Sequence, residues 1–301
     1  MKVKNKITYL SGGIGGAKFA KGLYEVYKKD LAIIVNTGDD EFIHGVYLCP
    51  DIDSVIYGLA EIEGEFGWGI KDDKFTVNSH LNEFYDIDFK IGDRDLATNL
   101  FRSQLLNEGK DLIKITSLLS KQFELNCKIL PMTSDLVQTK LYTKNGKKLN
   151  FQDYFVKKKA KPRLSKVDYE GSKKASVPNE VINSIRNSEL VIVGPSNPIL
   201  SIGPILSLSK IRNELLNHPK VYLISPFIGK SAIKGPSVKN FLDMGFSPDL
   251  KGLKKFYKDL VDVFIVQHGD GDRTNNVVEE NILFRSKSDS VDLVKKIQTY
   301  E

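Results

Sequence analysis

The sequence predicts an α/β fold, a doubly wound and mostly parallel sheet carrying a helical insertion and a β-hairpin. Three observations predict it. The chain opens strand–helix–strand. Apolar runs alternate with helical segments again from Pro178 onward. Four polar stretches rich in glycine or proline each follow a predicted strand, as expected where a parallel sheet ends and ligands gather.

The elements follow in order. "ITYL", Ile7 to Leu10, is an apolar run short enough for a buried strand. Ala17 to Lys28 places Phe19, Leu23, Val26 and Tyr27 on one helical face. "LAIIV", Leu31 to Val35, is continuously apolar, as in a parallel strand covered on both sides. Two such strands around one helix form a right-handed crossover. From Asp51 to about Phe123, "DSVIYGLAEI", "DLATNLFRSQLLNEG" and "DLIKITSLLSKQF" read as helices with Asp near the start. No strong strand separates them. The chain therefore divides into 1–50 with 124–301 as a nucleotide-binding domain and 51–123 as a helical insertion.

"CKILPMTSD" returns to strand. "VQTKLYTKNGKKLNFQDYFV" reads as a hairpin about Asn145-Gly146, the dipeptide of a type I′ turn. The α/β alternation then resumes. A helix from Pro178 to Asn187 precedes the strand "LVIVG", and a helix through Ile211 to Leu216 precedes "KVYLIS". Helices near Val238 to Met244 and Leu253 to Leu260 lead to "DVFIVQ" and a closing strand and helix.

The 301 residues, 41% apolar and 27% charged, suit a soluble globular protein with a sizeable core. No apolar run approaches the roughly 18 residues of a membrane helix. After Lys2, Lys4 and Lys6 only Ile7 to Leu10 precede the glycines, too short a run for a signal peptide. Cys49 and Cys127 lack metal spacing and read as two reduced thiols of a cytoplasmic protein. The net charge of +6 is spread along the chain. Its one dense run, Lys157 to Arg163, reads as a solvated loop rather than a nucleic-acid site. Anionic small substrates account for a mild basic excess equally well.

Chemistry concentrates in the loops. "SGGIGGAK", Ser11 to Lys18, fails the dinucleotide fingerprint, because Lys18 stands where a third glycine belongs. It also lacks the Gly-Lys-Ser/Thr of a Walker loop. What remains is a backbone turn opening a helix, with Gly12, Gly13 and Gly15 leaving N–H groups free for phosphate and Lys18 adding charge. The alternative is a tight turn with no ligand. "NTGDD" sets Asp39 and Asp40 beyond a strand end, and "PDIDS" sets Asp51 and Asp53 at a helix start. Clustered carboxylates suit a shared hard cation such as Mg²⁺, which takes one or two of them with water and phosphate oxygens. Asp51 and Asp53 either join such a site or cap their helix. "GDRDLATN" opens another helix, with Asp93 a candidate cap and Arg94 and Thr98 four apart on one face. "GPSNPILSIGP" stiffens a loop with proline and offers Ser196, Asn197 and Ser201 for nucleotide recognition. No Gly-x-Ser-x-Gly elbow exists, and His44, His80, His218 and His268 lack metal spacing.

Taken in order, "LSGGIGGAKFAKGL", "VNTGDDEFIHGVYLCPDIDSVIYGL", "WGI", "IGDRDLATNLFR", "ILPMTSD", "NFQDYF", "GPSNPILSIGPIL" and "SPFIGKSAIKGP" resemble the 2-phospho-L-lactate transferase (CofD-like) family of coenzyme F-420 biosynthesis. The resemblance runs from about residue 7 to residue 270. It implies a Rossmann-like fold and a homodimer. It implies transfer of the phospholactyl group of lactyl-(2)-diphospho-(5′)-guanosine to 7,8-didemethyl-8-hydroxy-5-deazariboflavin, giving F-420-0 and GMP, with Mg²⁺ required. Carried over, the glycine loop and Lys18 would hold the diphosphate. Ser196, Asn197, Pro198 and Ser201 to Gly203 would hold the guanosine side. Asp39, with Asp51 or Asp53, would hold Mg²⁺. Asp53 and Arg94 would face the deazaflavin, and Asp39, Asp53 and Lys18 would carry the chemistry. Where relatives have histidine after "GDRDLAT", this chain has Asn99, whose role stays open. The alternative is a nucleotide- or nucleotide-sugar-binding regulatory protein of the same superfamily. That branch carries a Gly-Gly-Ser-Ser-Gly run where this chain has Glu41 to His44. An NAD-dependent oxidoreductase is disfavoured by the failed fingerprint.

Overall fold

The computed structural model describes residues 6–87, 89–229, 231–232 and 235–300. Lys2 and Lys4 of the basic start, and Lys230, Ile233 and Lys234 of the last polar loop, lie outside the described residues.

Seven strands form one sheet: β1 (Ile7–Ser11), β2 (Leu31–Val35), β3 (Lys128–Pro131), β4 (Leu190–Val193), β5 (Val221–Ile224), β6 (Val263–Gln267) and β7 (Val277–Glu280). Their spatial order is β7-β6-β5-β4-β1-β2-β3, and every neighbouring pair is parallel. The order climbs outward in both directions from the β1–β4 seam. There the crossovers diverge, and the carboxyl ends of the strands open a crevice. β1 and β2 are buried along their whole length, as the unbroken apolar sequence of β2 predicts.

Strand residues alternate between two cores, one on each side of the sheet. Leu10, Ala32, Ile34, Val191, Val193 and Leu223 face one core. Tyr9, Ile33, Val35, Ile192 and Ile224 face the other, together with Phe19, Ala20 and Leu23 of helix α1 (Ile14–Tyr27). This second core runs on into Ile52, Val55 and Ile56 of α2 (Pro50–Leu59) and Leu105 of α3 (Asp93–Asn107), then into Ile115 and Leu119 of Leu112–Gln122. The division at 51 thus follows the order of elements rather than a gap in packing. Leu293, Val294 and Ile297 of the last helix, Lys287–Ile297, also join this core, and Ser290 Oγ donates to the Lys18 carbonyl at 3.0 Å. α1 is therefore held between the sheet and that last helix.

The hairpin lies where the sequence places it, with Gln138–Thr143 antiparallel to Lys148–Asn150 and a further strand, Leu164–Glu170, on its other side. Its turn differs from the expected type I′. That turn needs positive φ at both central residues, and only Gly146 has it, at 82°. The Gly146 N–H bonds the Thr143 carbonyl at 2.9 Å, and Thr143 N–H bonds the Lys147 carbonyl at 2.9 Å. This is a three-residue loop closed by a left-handed glycine, a geometry in which Asn145 needs no positive φ. α1 likewise begins at Ile14, not Ala17, so Gly15 and Gly16 of the glycine loop lie in the first helical turn. The basic stretch around Lys157 to Arg163 is largely exposed, with Arg163 ion-paired to Asp243. Cys49 and Cys127 are buried free thiols.

Candidate active site

At the carboxyl ends of β1, β2 and β4 lies a cavity of about 390 Å³. Its floor is polar, lined by Gly13, Gly15, Asp39, Asp51, Ser196, Asn197 and Ser201. Its rim is aromatic, lined by Trp68, Phe89, Phe151 and Phe155, with Lys90 and Gln152 beside them. The Phe151 and Phe155 rings stack at 5.3 Å and 11°.

The floor is braced by its own residues. Asn36 folds back so that its Oδ1 accepts from the Gly38 N–H at 2.7 Å, while its Nδ2 donates to Asp51 at 2.9 Å. The loop after β2 is thereby tied to the start of α2. The Gly12 N–H donates to Ser196 Oγ at 3.0 Å, which ties the loop after β1 to the loop after β4. A Cβ on Gly13 would stand 2.4 Å from Asp51 Oδ1. Glycine is thus required here by the protein's own carboxylate as well as by any ligand. Asn197 accepts from the Ile199 and Leu200 N–H groups at 3.0 and 3.1 Å and donates to Asn240, so its amide shapes the Pro198–Ile202 turn. Pro198 and Gly203 are buried behind the lining.

Four aspartates crowd this end of α2. Asp39 and Asp40 are 4% and 2% exposed. Asp39 Oδ1 and both carboxylate oxygens of Asp40 are buried without a hydrogen-bond partner. Burial, then Asp51 and Asp40 beside it, pushes the Asp39 carboxyl well above the ordinary range. Burial likewise raises Asp40. It pushes Asp51 up to about 6, against the lowering effect of the Asn36 hydrogen bond. Asp53, two residues on, points away from the lining and forms a buried ion pair with Arg102. Burial raises it and Arg102 opposes the shift.

Such a floor fits a hard cation. Asp39 offers an orphaned buried oxygen and Asp51 a second carboxylate in the same cavity. Among the described residues no three His, Cys, Asp or Glu side chains gather to form a complete cage. Mg²⁺ needs none, since it keeps several waters and takes phosphate oxygens from its substrate.

The remaining candidates lie outside the lining. Lys18 is exposed. Arg94 is exposed too, and Thr98, expected to share its face, is buried. Asp93 caps a neighbour instead of its own helix, accepting from the Thr76 and Val77 N–H groups at 3.2 and 3.0 Å. The second and third N–H groups of α3 go to Asp73, with Arg94 and Asp95 both donating at 3.0 Å. Asn99, left open above, donates to the Asp95 carbonyl at 2.8 Å and accepts from Arg102. His44 bonds the Tyr85 hydroxyl and the Phe89 carbonyl, each at 2.9 Å, and serves the rim's architecture. Sequence reasoning missed Asn36, Arg102 and the rim aromatics. Trp68 stands in the motif "WGI" and Phe151 and Phe155 in "NFQDYF", while Phe89 lies in no quoted motif.

Comparison with known proteins shows the family. The model of the family described as 2-phospho-L-lactate transferase CofD matches residues 7–298. A 2-phospho-L-lactate transferase of Methanocaldococcus jannaschii is 40% identical, covering 97% of this chain and 96% of that one. One of Methanopyrus kandleri is 37% identical, at 97% and 96% coverage. A solved protein of Bacillus halodurans, described as a member of the UPF0052 family, shares the fold at TM-score 0.58 and 18% identity, covering 88% of this chain and 81% of its own. The long family match, the near-complete coverage and a glycine-bounded cavity at the switch point of the sheet agree, and the chain belongs to the CofD family of 2-phospho-L-lactate transferases.

Proposed function

We propose that this transferase moves the phospholactyl group of lactyl-(2)-diphospho-(5′)-guanosine to the primary alcohol of the deazaflavin 7,8-didemethyl-8-hydroxy-5-deazariboflavin, releasing GMP and F-420-0. The observation that carries the reading is a single cavity with a phosphate-suited floor and a flat aromatic rim. The glycine loop brings the N-terminus of α1 to the floor, where helical N–H groups lack partners within the helix and suit an anion. Ser196, Asn197 and Ser201 border the guanosine side, with Pro198 and Gly203 shaping their loop. Trp68, Phe89 and Phe155 offer planes to the deazaflavin ring.

Asp39 and Asp51 would hold Mg²⁺ in this reading, and the ion would supply Lewis-acid charge stabilisation to the diphosphate. The chain's residues do the rest by positioning. The floor holds the phosphorus, and the rim brings the hydroxyl in line with it. No covalent enzyme intermediate is needed. The same reading makes the chain a cytoplasmic homodimer.

The test is mass spectrometry of the product formed from the deazaflavin with the phospholactyl, enolpyruvyl and glyceryl guanylyl donors in turn, with and without Mg²⁺. Product of F-420-0 mass from the lactyl donor alone, and only with Mg²⁺, supports the proposal. Tight GDP binding with no product from any donor would favour a nucleotide-binding regulator instead.

A further inference from the structure

We propose that Arg102 is a positioning residue of the transferase site, gripping the chain on both sides of the entry to α2 and so setting where the Asp51 carboxylate stands in the cavity. The inference rests on the reading of Asp51 as a cation ligand given above.

Arg102 is fully buried, at 0% exposure, in the middle of α3. One end of its guanidinium donates to the Tyr47 carbonyl at 3.2 Å and to the Asn99 amide oxygen. The other donates to the Asp53 carboxylate. Tyr47 lies just before the Cys49–Pro50 step into α2, and Asp53 lies in the first turn just after it. Between these two fixed points stands Asp51, held on its other side by Asn36 at 2.9 Å. Ser103, the next residue of α3, receives the Tyr47 N–H at 2.7 Å, so both backbone groups of Tyr47 are fixed by the same helix. A turn further along α2, the Tyr57 hydroxyl donates to Asp95 at 2.9 Å, a second tie between the helices. α3 thus fastens Tyr47, the entry and the first turns of α2 together.

Stability alone does not explain such a pair. The desolvation penalty of a buried ion pair offsets most of its attraction, and apolar replacements of similar volume often match it. A planar fork that spans Tyr47 and Asp53 together fixes geometry, which is what a cation site bearing only two protein carboxylates requires.

Two variants separate positioning from bare stability. Asp53→Leu combined with Arg102→Met removes both charges, leaves net charge unchanged and fills the space with apolar groups. Arg102→Lys keeps a cation but loses the fork. For each full chain, thermal melting is measured, together with Mn²⁺ binding in the presence of GDP, read by electron paramagnetic resonance. We expect the folded variants to bind Mn²⁺ about 10- to 100-fold more weakly than wild type. Wild-type Mn²⁺ affinity in either folded variant overturns the proposal. If the double variant does not fold, Arg102→Lys alone decides. Absence of Mn²⁺ binding by the wild type would overturn both this inference and the metal reading beneath it. A wild type that binds Mn²⁺ with GDP but forms no product, while the variants lose Mn²⁺, would sink the proposed reaction and leave the positioning role standing.

Discussion

The floor of the cavity is buried at Asp39 and Ser196 and cross-braced, whereas the rim is exposed at Trp68 and Phe155. Asp39 is 4% exposed and Ser196 is equally buried; Asn36–Asp51 ties the loop after β2 to α2, and Gly12–Ser196 ties the loop after β1 to the loop after β4. Trp68 is 48% exposed and Phe155 40%. The floor hangs on the ends of strands that pack on both faces. Much of the rim hangs on the segment from Gly64 to Phe89, whose turns are local: Gly64 and Gly67 bond within their own loop, and Asp93 and Asp73 fasten the helix starts around it. The contrast teaches a division of labour. Groups that must meet a charged phosphorus within tenths of an ångström sit on the rigid sheet, and groups that meet a flat ring sit on adaptable loops.

The comparison breaks hardest at Asp39. Asp39→Asn should cut turnover about 100-fold or more while melting stays level or rises, because a buried carboxylate with an unpartnered oxygen is removed. Turnover and thermal melting measured together decide it, and near-normal turnover at saturating Mg²⁺ would take Asp39 out of the site. Next comes Gly13→Val. With a Cβ 2.4 Å from Asp51 Oδ1, the loop or the carboxylate must move. A cost of about 1–3 kcal/mol in stability is expected, with GDP affinity falling in calorimetry.

At the rim the effect should be smaller and confined to one ligand. Trp68→Ala should forfeit about 0.5–1.5 kcal/mol of stacking, raising the deazaflavin KM roughly 2- to 13-fold and sparing GDP. Equal weakening of both ligands would mean that floor and rim are one mechanical unit.

A pH titration sharpens the same contrast. In the metal-free protein burial raises the Asp51 carboxyl to about 6. A carboxyl raised on folding binds its proton more tightly in the folded state, so this group costs stability above its folded value and the cost fades as pH falls toward its unfolded value near 4. Cation binding needs the ionised form. Mg²⁺ should therefore lift the melting temperature of the GDP complex more at pH 8 than at pH 5.5, and deazaflavin binding should change little over that range. The smallest effects are expected at Lys18 and Arg94. Both are exposed and outside the lining, so either alanine variant should shift ligand binding by less than about 0.5 kcal/mol. A larger loss of GDP affinity in Lys18→Ala would show that its side chain swings onto the diphosphate.

How legible each region was in the sequence follows the same physical line. The parallel strands announce themselves as continuous apolar runs, and the floor announces itself because strand ends that approach one another demand glycine, proline and short polar residues. The rim aromatics look like ordinary surface or core residues until the loops fold, since nothing in spacing tells Phe151 and Phe155 from a packing pair. Arg102 was hidden for another reason. A buried arginine gains its place from partners far along the chain, Tyr47 and Asp53, and no local pattern reports them. The hairpin turn was misread because Asn-Gly serves two loop lengths, and cross-strand register selects between them.

The hold of the last helix on α1 bears on how the chain comes to be made. Ser290 reaches the Lys18 carbonyl across 272 positions of sequence, and Leu293 and Ile297 share a core with Phe19. On the ribosome the glycine loop is therefore complete in sequence long before it is braced. Phe19 and Leu23 wait with one flank bare while the rest of the sheet is synthesised. A chain ended before Lys287 should remain in that unfinished condition, bind GDP poorly despite carrying every loop of the floor, and recover when the missing helix is supplied as a peptide.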